Sequence, residues 1–395
     1  VPVRARVLAS FEPLRVLSGV GSFLPRDLQG IRQAVDRLGV TEWAVMVENL
    51  ALPTEAESEL TAAGVRCVRI GDALVVLATN LDDPPWTPRV PDVYTALKKA
   101  LSAHNAPALN LVWGGRVLPL SQRAHIMGIV NVTPDSFSDG GRFFDAAAAV
   151  EHGLALVEEG ADLLDVGGES TRPGADPVDA RDEAARVVPV IEALAAKTGV
   201  PISVDTTKAS VAAAALDAGA SIVNDVSAGR ADPEMFSLVA DRRVPIVLMH
   251  MLGDPRTMQR DPTYRDVVGE VYGFLADRAD AAVAAGVDPA RILIDPGFGF
   301  GKTREHNLVL LRRLREFRCL GYPVLAGTSR KSFIGQTLDV GVDERTEGTA
   351  ATVAMAVVAG AAVIRVHDVL PMRRVAGMVE AILRASAGEA GRRET

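Results

Sequence analysis

Asn131, Asp205, Asn224, Asp295, Lys331, Arg365 and His367 are residue types that do chemistry, and each lies at or just beyond the end of a short apolar run. Asp205, Asn224 and Asp295 offer two carboxylates and an amide. That set suits a flat heterocycle presenting N–H donors, above all a guanidine-like edge, which a carboxylate can grip with two parallel bonds. Lys331 supplies a donor for a ring carbonyl. Arg365, His367 and the loop that begins at Asn131 suit an anion. Arg365 and His367 are spaced i, i+2, so on a strand they point to one face. Plainer readings exist for each. A strand-end Asp, Asn or Ser can cap the next helix. Arg365 can be a buried ion pair with one of the aspartates, and His367 a core histidine. Lys331 could form a Schiff base. Asp205 and Asp295 could ligate a metal, although no histidine cluster accompanies them.

The runs that carry these residues are Ile126–Val132, Leu163–Gly167, Ile202–Asp205, Ile222–Val226, Ile246–His250, Ile292–Asp295, Val324–Gly327 and Val363–Val366. Their continuous apolar character predicts parallel strands buried on both faces. Helical patterns separate them, at Asp145–Glu159, Arg181–Lys197, Lys208–Asp217, Pro233–Asp241, Tyr264–Ala285, Arg304–Phe317, Thr346–Val358 and Met372–Ala385. Strand–helix repetition of this kind predicts an α/β fold, a (β/α)8 TIM barrel, whose strand ends converge on one pocket. An open doubly wound sheet would carry a GxGxxG turn after its first strand. Here that strand runs into NVTPDSFSDGG. Polar residues at every strand end together make capping alone a poor explanation.

Two loops, Asn131–Phe144 and Gly167–Pro177, are rich in Gly, Pro, Ser, Thr and Asp and carry Phe137, Thr171, Arg172 and Pro173. At the catalytic face of a barrel such loops act as lids or substrate clamps. DPGFGFGK, Asp295–Lys302, has a phosphate-loop look without a Walker A sequence; its glycines read as a tight turn with close backbone approach.

Residues 1–118 read as a small α/β accessory or dimerisation module without a chemical constellation, and 119–395 as the barrel. Apolar runs lie at Trp43–Val47, Val65–Ile70 and Ala73–Ala78, helical patterns at Arg26–Leu38, Thr54–Ala63 and Tyr94–His104, and a strand or connector at Ala108–Leu118. The formal net charge of −8 argues against non-specific nucleic-acid binding. Cys67 and Cys319 are far apart and fit a reducing compartment. No apolar stretch reaches membrane length, since Ala350–Val366 is broken by Gly360 and Arg365. The N-terminal segment lacks the apolar core of a signal peptide, so a cytoplasmic location is expected.

IMGIVNVTPDSFSDGG (Ile126–Gly141), DVGGESTRPGA (Asp165–Ala175), SVDTTK (Ser203–Lys208), IVNDVS (Ile222–Ser227), DPGFGFGK, SRKSFIG (Ser329–Gly335) and RVHDV (Arg365–Val369) together resemble the dihydropteroate synthase family. The match covers the barrel in order and excludes the first ~118 residues. The resemblance implies condensation of 6-hydroxymethyl-7,8-dihydropterin diphosphate with 4-aminobenzoate, giving 7,8-dihydropteroate and diphosphate. It implies pterin contacts at Asp205, Asn224, Met249, Asp295 and Lys331. It implies diphosphate contacts at Asn131, Arg365 and His367, with Mg2+ at Asn131. Phe137, Thr171, Arg172, Pro173, Phe298 and Ser332 would shape the 4-aminobenzoate site. A homodimer is implied as well. Two other functions stay open at this point: a pterin-dependent methyltransferase acting on a corrinoid, and a non-catalytic pterin-binding module. The first has no need of NVTPDSFSDGG or SRKS.

Overall fold

The computed structural model describes residues 4–7, 43–48, 66–70, 73–78, 95–96, 99–100, 102–103, 110–132, 142–170, 175–254 and 256–385. Four antiparallel strands come first: β1 (Arg4–Val7), β2 (Trp43–Glu48), β3 (Arg66–Ile70) and β4 (Ala73–Ala78), in the order β1-β2-β4-β3. Three of them fall on the apolar runs read from the sequence. The helical patterns at Arg26–Leu38 and Thr54–Ala63 lie outside the described residues.

A hairpin follows, β5 (Asn110–Trp113) and β6 (Arg116–Pro119). Its two turn residues, Gly114 and Gly115, both have positive φ, 50° and 78°. A two-residue hairpin turn needs that conformation, which glycine adopts at no steric cost.

The barrel strands are β7 (His125–Asn131), β8 (Leu163–Gly167), β9 (Ile202–Asp205), β10 (Ile222–Asp225), β11 (Ile246–Met249), β12 (Ile292–Asp295), β13 (Leu325–Ala326) and β14 (Val363–Val366). All neighbours pair in parallel, in the order β12-β11-β10-β9-β8-β7-β14-β13. A parallel bridge between Ile294 and Val324 brings the two ends of this sheet together. Every residue of β8, β10, β11 and β12 is buried, as strands covered on both faces require.

Helices α1 (Arg142–Glu158), α2 (Ala180–Lys197), α3 (Ala209–Asp217), α4 (Met235–Arg242), α5 (Val267–Ala284), α6 (Arg304–Arg312), α7 (Ser332–Leu338), α8 (Thr346–Val358) and α9 (Val369–Arg384) alternate with the strands. The pattern read as one helix to Phe317 ends at Arg312, and a 3-10 stretch, Leu314–Leu320, follows it.

The floor of the barrel is a packed layer. Met127, Leu163, Ile222, Val247, Leu293, Leu325 and Val363 meet Leu111, Trp113 and Leu120 there, with Leu118 against them. The hairpin falls in the segment read from sequence as accessory, yet it supplies part of the barrel's own core. By contacts the compact unit that holds the barrel begins at Ala108 and comprises Ala108–Thr263, Phe274–Arg312 and Pro323–Thr395. The floor is filled by side chains, and the chemistry-bearing residues sit at the opposite end of the strands.

Candidate active site

Residues of β8, β9, β10 and β14 form one hydrogen-bonded cluster. Arg365, on β14, donates from Nε to Oδ2 of Asp165 at 2.6 Å and from Nη2 to Oδ2 of Asp205 at 2.9 Å. Asn224 donates from Nδ2 to the same Asp165 oxygen at 3.1 Å. The strand register explains the meeting. Asp205 lies opposite Gly167 on one side and Asn224 on the other, while Asp165 is two residues deeper on β8. The ion pair weighed for Arg365 therefore exists, with two carboxylates instead of one. Burial pushes the Asp205 carboxyl up, the nearby charge of Asp165 adds to the push, and Arg365 opposes both.

Asp295 closes the acidic side. Its Oδ1 accepts the backbone N–H of Gly297 at 2.7 Å. Burial raises its carboxyl to about 6, against the pull of that N–H and of Lys331, Lys302 and Arg365. Met249 lies directly opposite Asp295 in the ladder and packs with Val226, Met251, Met258 and Phe300. It thus gives the acidic cluster an apolar wall.

The DPGFGFGK segment is a clamped turn. Gly297, Gly299 and Gly301 all have positive φ, and a Cβ on Gly297 would collide with the His250 carbonyl oxygen. Lys302 is buried, and its Nζ donates to the carbonyls of Gly297 (2.9 Å) and Phe300 (3.0 Å). It also meets Nδ1 of His250 at 2.8 Å. Its amine thus satisfies the turn from inside, and burial lowers it to about 7. The clamp sets Phe300 beneath Lys331, whose Nζ lies 4.2 Å from the ring centroid. Such a cation over an aromatic face is held electrostatically.

Lys331 and its neighbours owe their positions to Arg330. That residue has φ 54°, a left-handed conformation that costs a non-glycine residue on the order of 1 kcal/mol. A two-bond pair with Asp368, at 3.0 and 2.5 Å, holds it. Thr349 Oγ1 accepts its N–H and Arg345 donates to its carbonyl. Ser329 and His367 lock together next to it. Ser329 Oγ accepts the backbone N–H of His367 at 3.2 Å and lies 3.0 Å from Nδ1, to which its hydroxyl can donate. With the hydroxyl as donor, the ring hydrogen is on Nε2 and faces away from Ser329. Burial, followed by the charges of Arg365, Arg330 and Lys331, pushes this imidazole down to about 3. His367 is a neutral donor here, and any help it gives an anion is a hydrogen bond.

The neck of the second loop is tied by ions. Lys208 donates to Glu169 and to the fully buried Glu183, each at 2.5 Å. The other oxygen of Glu169 accepts the N–H of Val178 at 3.0 Å, which joins the two ends of the loop.

The structure brings Asp205, Asn224, Met249, Asp295, Lys331, Arg365 and His367 to one end of the barrel, and Asn131 ends β7 there. Ser332 is exposed at the start of α7. Phe298 is 1 % exposed and packs against Phe333, so the aromatic side chain that meets Lys331 is Phe300. Phe137, Thr171, Arg172 and Pro173 lie outside the described residues. Sequence reasoning passes over Asp165, Phe300, Lys302, Glu183 and Lys208 as functional groups. For Asp165 a signal existed: an acid inside the otherwise apolar run LLDVG.

Among the described residues no group of three or more His, Cys, Asp or Glu could hold a metal. Asn131 offers one neutral amide oxygen at a half-buried strand end. That is a fit for Mg2+ delivered with a diphosphate, since Mg2+ keeps several waters and takes few protein ligands besides phosphate oxygens.

Residues 127–367 match the family model described as pterin binding enzyme. A dihydropteroate synthase of Synechocystis sp. is 45% identical over 272 residues, covering 69% of this chain and 94% of that protein. The Xanthomonas albilineans dihydropteroate synthase solved with 4-aminobenzoic acid superimposes with a TM-score of 0.67 at 50% identity, over 71% of this chain and all of that one. A second structure from the same organism, in complex with 7,8-dihydropteroate, gives 0.64 at 48% identity, over 70% of this chain and all of that one. This chain belongs to the pterin-binding enzyme family, and it is similar to the dihydropteroate synthases within it.

Proposed function

We propose that this protein condenses 6-hydroxymethyl-7,8-dihydropterin diphosphate with 4-aminobenzoate, releasing 7,8-dihydropteroate and diphosphate. The observation that carries the reading is the sorting of groups at one barrel end. Two carboxylates with raised affinity for protons and an amide stand together, and a cationic and neutral donor set lies beside them.

The aryl amine is a weak nucleophile because its lone pair is delocalised into the ring. It needs an electrophile made by departure of the diphosphate. The electron-rich dihydropterin stabilises the cationic methylene left behind. Asp205, Asn224 and Asp295 accept the pterin N–H groups, and Lys331 donates to its carbonyl. Met249 packs on its face. The two carboxylates keep negative charge near the developing cation. Arg365 and Asn131 hold the leaving diphosphate, and the Nε2–H of His367 donates to it. Asn131 would hold Mg2+ arriving with the diphosphate, and the ion would offset leaving-group charge. The loops bearing Phe137 and Thr171–Pro173, with Ser332, form the aryl-amine side and exclude water from the cation. Phe298 supports that side from within the core. After attack the anilinium loses its proton readily, so no strong general base is called for.

A homodimer and a cytosolic location belong to the same proposal. The exposed Met355, Val358, Met378, Ile382 and Leu383 of α8 and α9 support self-association.

The test is diphosphate release with purified protein and Mg2+. Release that requires both substrates supports the reading, and so does a sulfonamide whose inhibition is relieved by 4-aminobenzoate. Methyl transfer from methyltetrahydrofolate to a corrinoid, without diphosphate release, would replace this function with the methyltransferase.

A further inference from the structure

We infer that Asp165 is a positioning residue that couples the two halves of the pterin substrate's site. The inference rests on the proposed reaction and goes beyond it, because Asp165 has no assigned role there. Asp165 is fully buried on β8, and one of its oxygens accepts both Arg365 Nε and Asn224 Nδ2. Its other oxygen is buried and has no protein partner among the described residues. All its directed bonding therefore passes through a single atom shared by an amide and a guanidinium.

Each bond fixes something different. An amide side chain can present either its oxygen or its nitrogen to a ligand. Donation of Nδ2 to Asp165 commits Asn224 to offering its oxygen, the acceptor a pterin N–H requires. A guanidinium has a rigid fork of donors. With Nε held by Asp165, the Nη groups can point only along the mouth, where Nη2 already meets Asp205. On binding, an Nη group turns from Asp205 to the diphosphate while Nε stays anchored. Asp205 then loses a cationic partner at the moment the pterin's N–H donors arrive. A carboxylate left without partners in a dry site is costly, so ring binding and anion binding favour each other through Asp165.

The experiment uses the full chain and two probes, dihydropterin diphosphate with Mg2+ and 6-hydroxymethylpterin, which lacks the diphosphate. Asp165→Asn keeps the shape of the group and removes its charge. Expected are a rise of about tenfold in the dissociation constant for 6-hydroxymethylpterin and a fall of about a hundredfold in kcat. KM for 4-aminobenzoate should stay unchanged. In an Asn224→Ala background the pterin-affinity effect should vanish, and in an Arg365→Lys background the kcat effect should vanish. A D165N chain with wild-type pterin affinity and wild-type kcat overturns the inference. So does a rise in KM for 4-aminobenzoate that matches the other losses, which is the sign of a general structural defect.

Should D165N not fold, the wild-type chain answers through the nitrogen resonance of Arg365 Nε, identified by its absence in R365K. A slowly exchanging Nε–H that persists when dihydropterin diphosphate binds supports the anchor. Its loss on binding overturns it. A wild-type chain that fails to bind dihydropterin diphosphate at all defeats the proposed function itself, and the inference with it.

Discussion

The ammonium of Lys331 lies 4.2 Å from the centre of the Phe300 ring, and Gly299 passes close enough that a Cβ there would meet Lys331 Cδ at 3.2 Å. The lysine is thus held from below by an aromatic face and from the side by a backbone that has no side chain. A cation over an aromatic ring gains about 0.5–2 kcal/mol, depending on how dry the site is. Phe300→Leu keeps the apolar contact with Met249 and removes the quadrupole. It should raise KM for dihydropterin diphosphate by about three- to tenfold. KM for 4-aminobenzoate should change little. Steady-state kinetics with each substrate varied in turn checks this, and an unchanged pterin KM would show that the ring does not steer the lysine.

Asp295 links function to stability through pH. Its carboxyl is raised from 3.8 to about 6 by burial. A group with a raised folded pKa contributes stability below its unfolded value and loses that contribution as pH rises through the folded value. In the unliganded protein the loss is therefore complete above roughly pH 7, and amounts to about 3 kcal/mol for a shift of this size. Asp295→Asn should unfold at higher urea than wild type at pH 8 and show no advantage at pH 4. The same variant should bind pterin poorly. If N–H donors of the ring favour the ionised carboxylate, pterin binding near pH 6 releases protons. Calorimetry in buffers of different ionisation enthalpy would detect that release, and proton uptake would contradict the assignment.

His367 is held neutral by burial and by the cations around it. The requirement on this residue is then an N–H at Nε2, which a glutamine amide can imitate. His367→Gln should keep activity within about tenfold of wild type, whereas His367→Ala should lose about a hundredfold. The pH profiles of kcat/KM for wild type and H367Q should have the same shape between pH 5 and 8. A wild-type inflection near pH 6.5 that disappears in H367Q would mean that an imidazolium acts after all.

The parts of this molecule that were legible beforehand are those governed by local pattern. Leu163–Gly167, Ile202–Asp205, Ile292–Asp295 and Val363–Val366 coincide with the expected runs because each is a short, mainly β-branched or aliphatic stretch bounded by loop residues, even where a polar residue such as Asp165, Ser203 or Arg365 interrupts it. Helix α7 escaped notice because seven residues after a polar loop are too few to show a period. The hairpin shows in the sequence only as a strand or connector, since the turn glycines alone do not say what the strands pack against. Asp165 is the instructive case. Its partner Arg365 is two hundred residues away, so its role depends on barrel register, which no local window contains. Phe298 and Phe300 are alike in sequence, and only the clamped turn decides which ring goes inward.

That hairpin leads to the prediction most at odds with a reading from sequence alone. A cut at Ser121 looks harmless if the barrel starts at 119. In the structure, such a cut removes Leu111, Trp113 and Leu120 from the layer formed by Met127, Leu163, Ile222, Val247, Leu293, Leu325 and Val363. Each buried side chain of this size contributes roughly 1.5–3 kcal/mol. The loss also opens the barrel floor to water, because the remaining side chains point into an uncovered end. A chain starting at Ala108 should therefore melt at least about 10 °C above one starting at Ser121. At a temperature where both are folded, the two should share the same KM for dihydropterin diphosphate, since the floor and the polar mouth are at opposite ends of the strands. Thermal unfolding of the two shortened chains decides the first point and kinetics the second. Equal melting temperatures would mean that the hairpin rests on the barrel without holding it together.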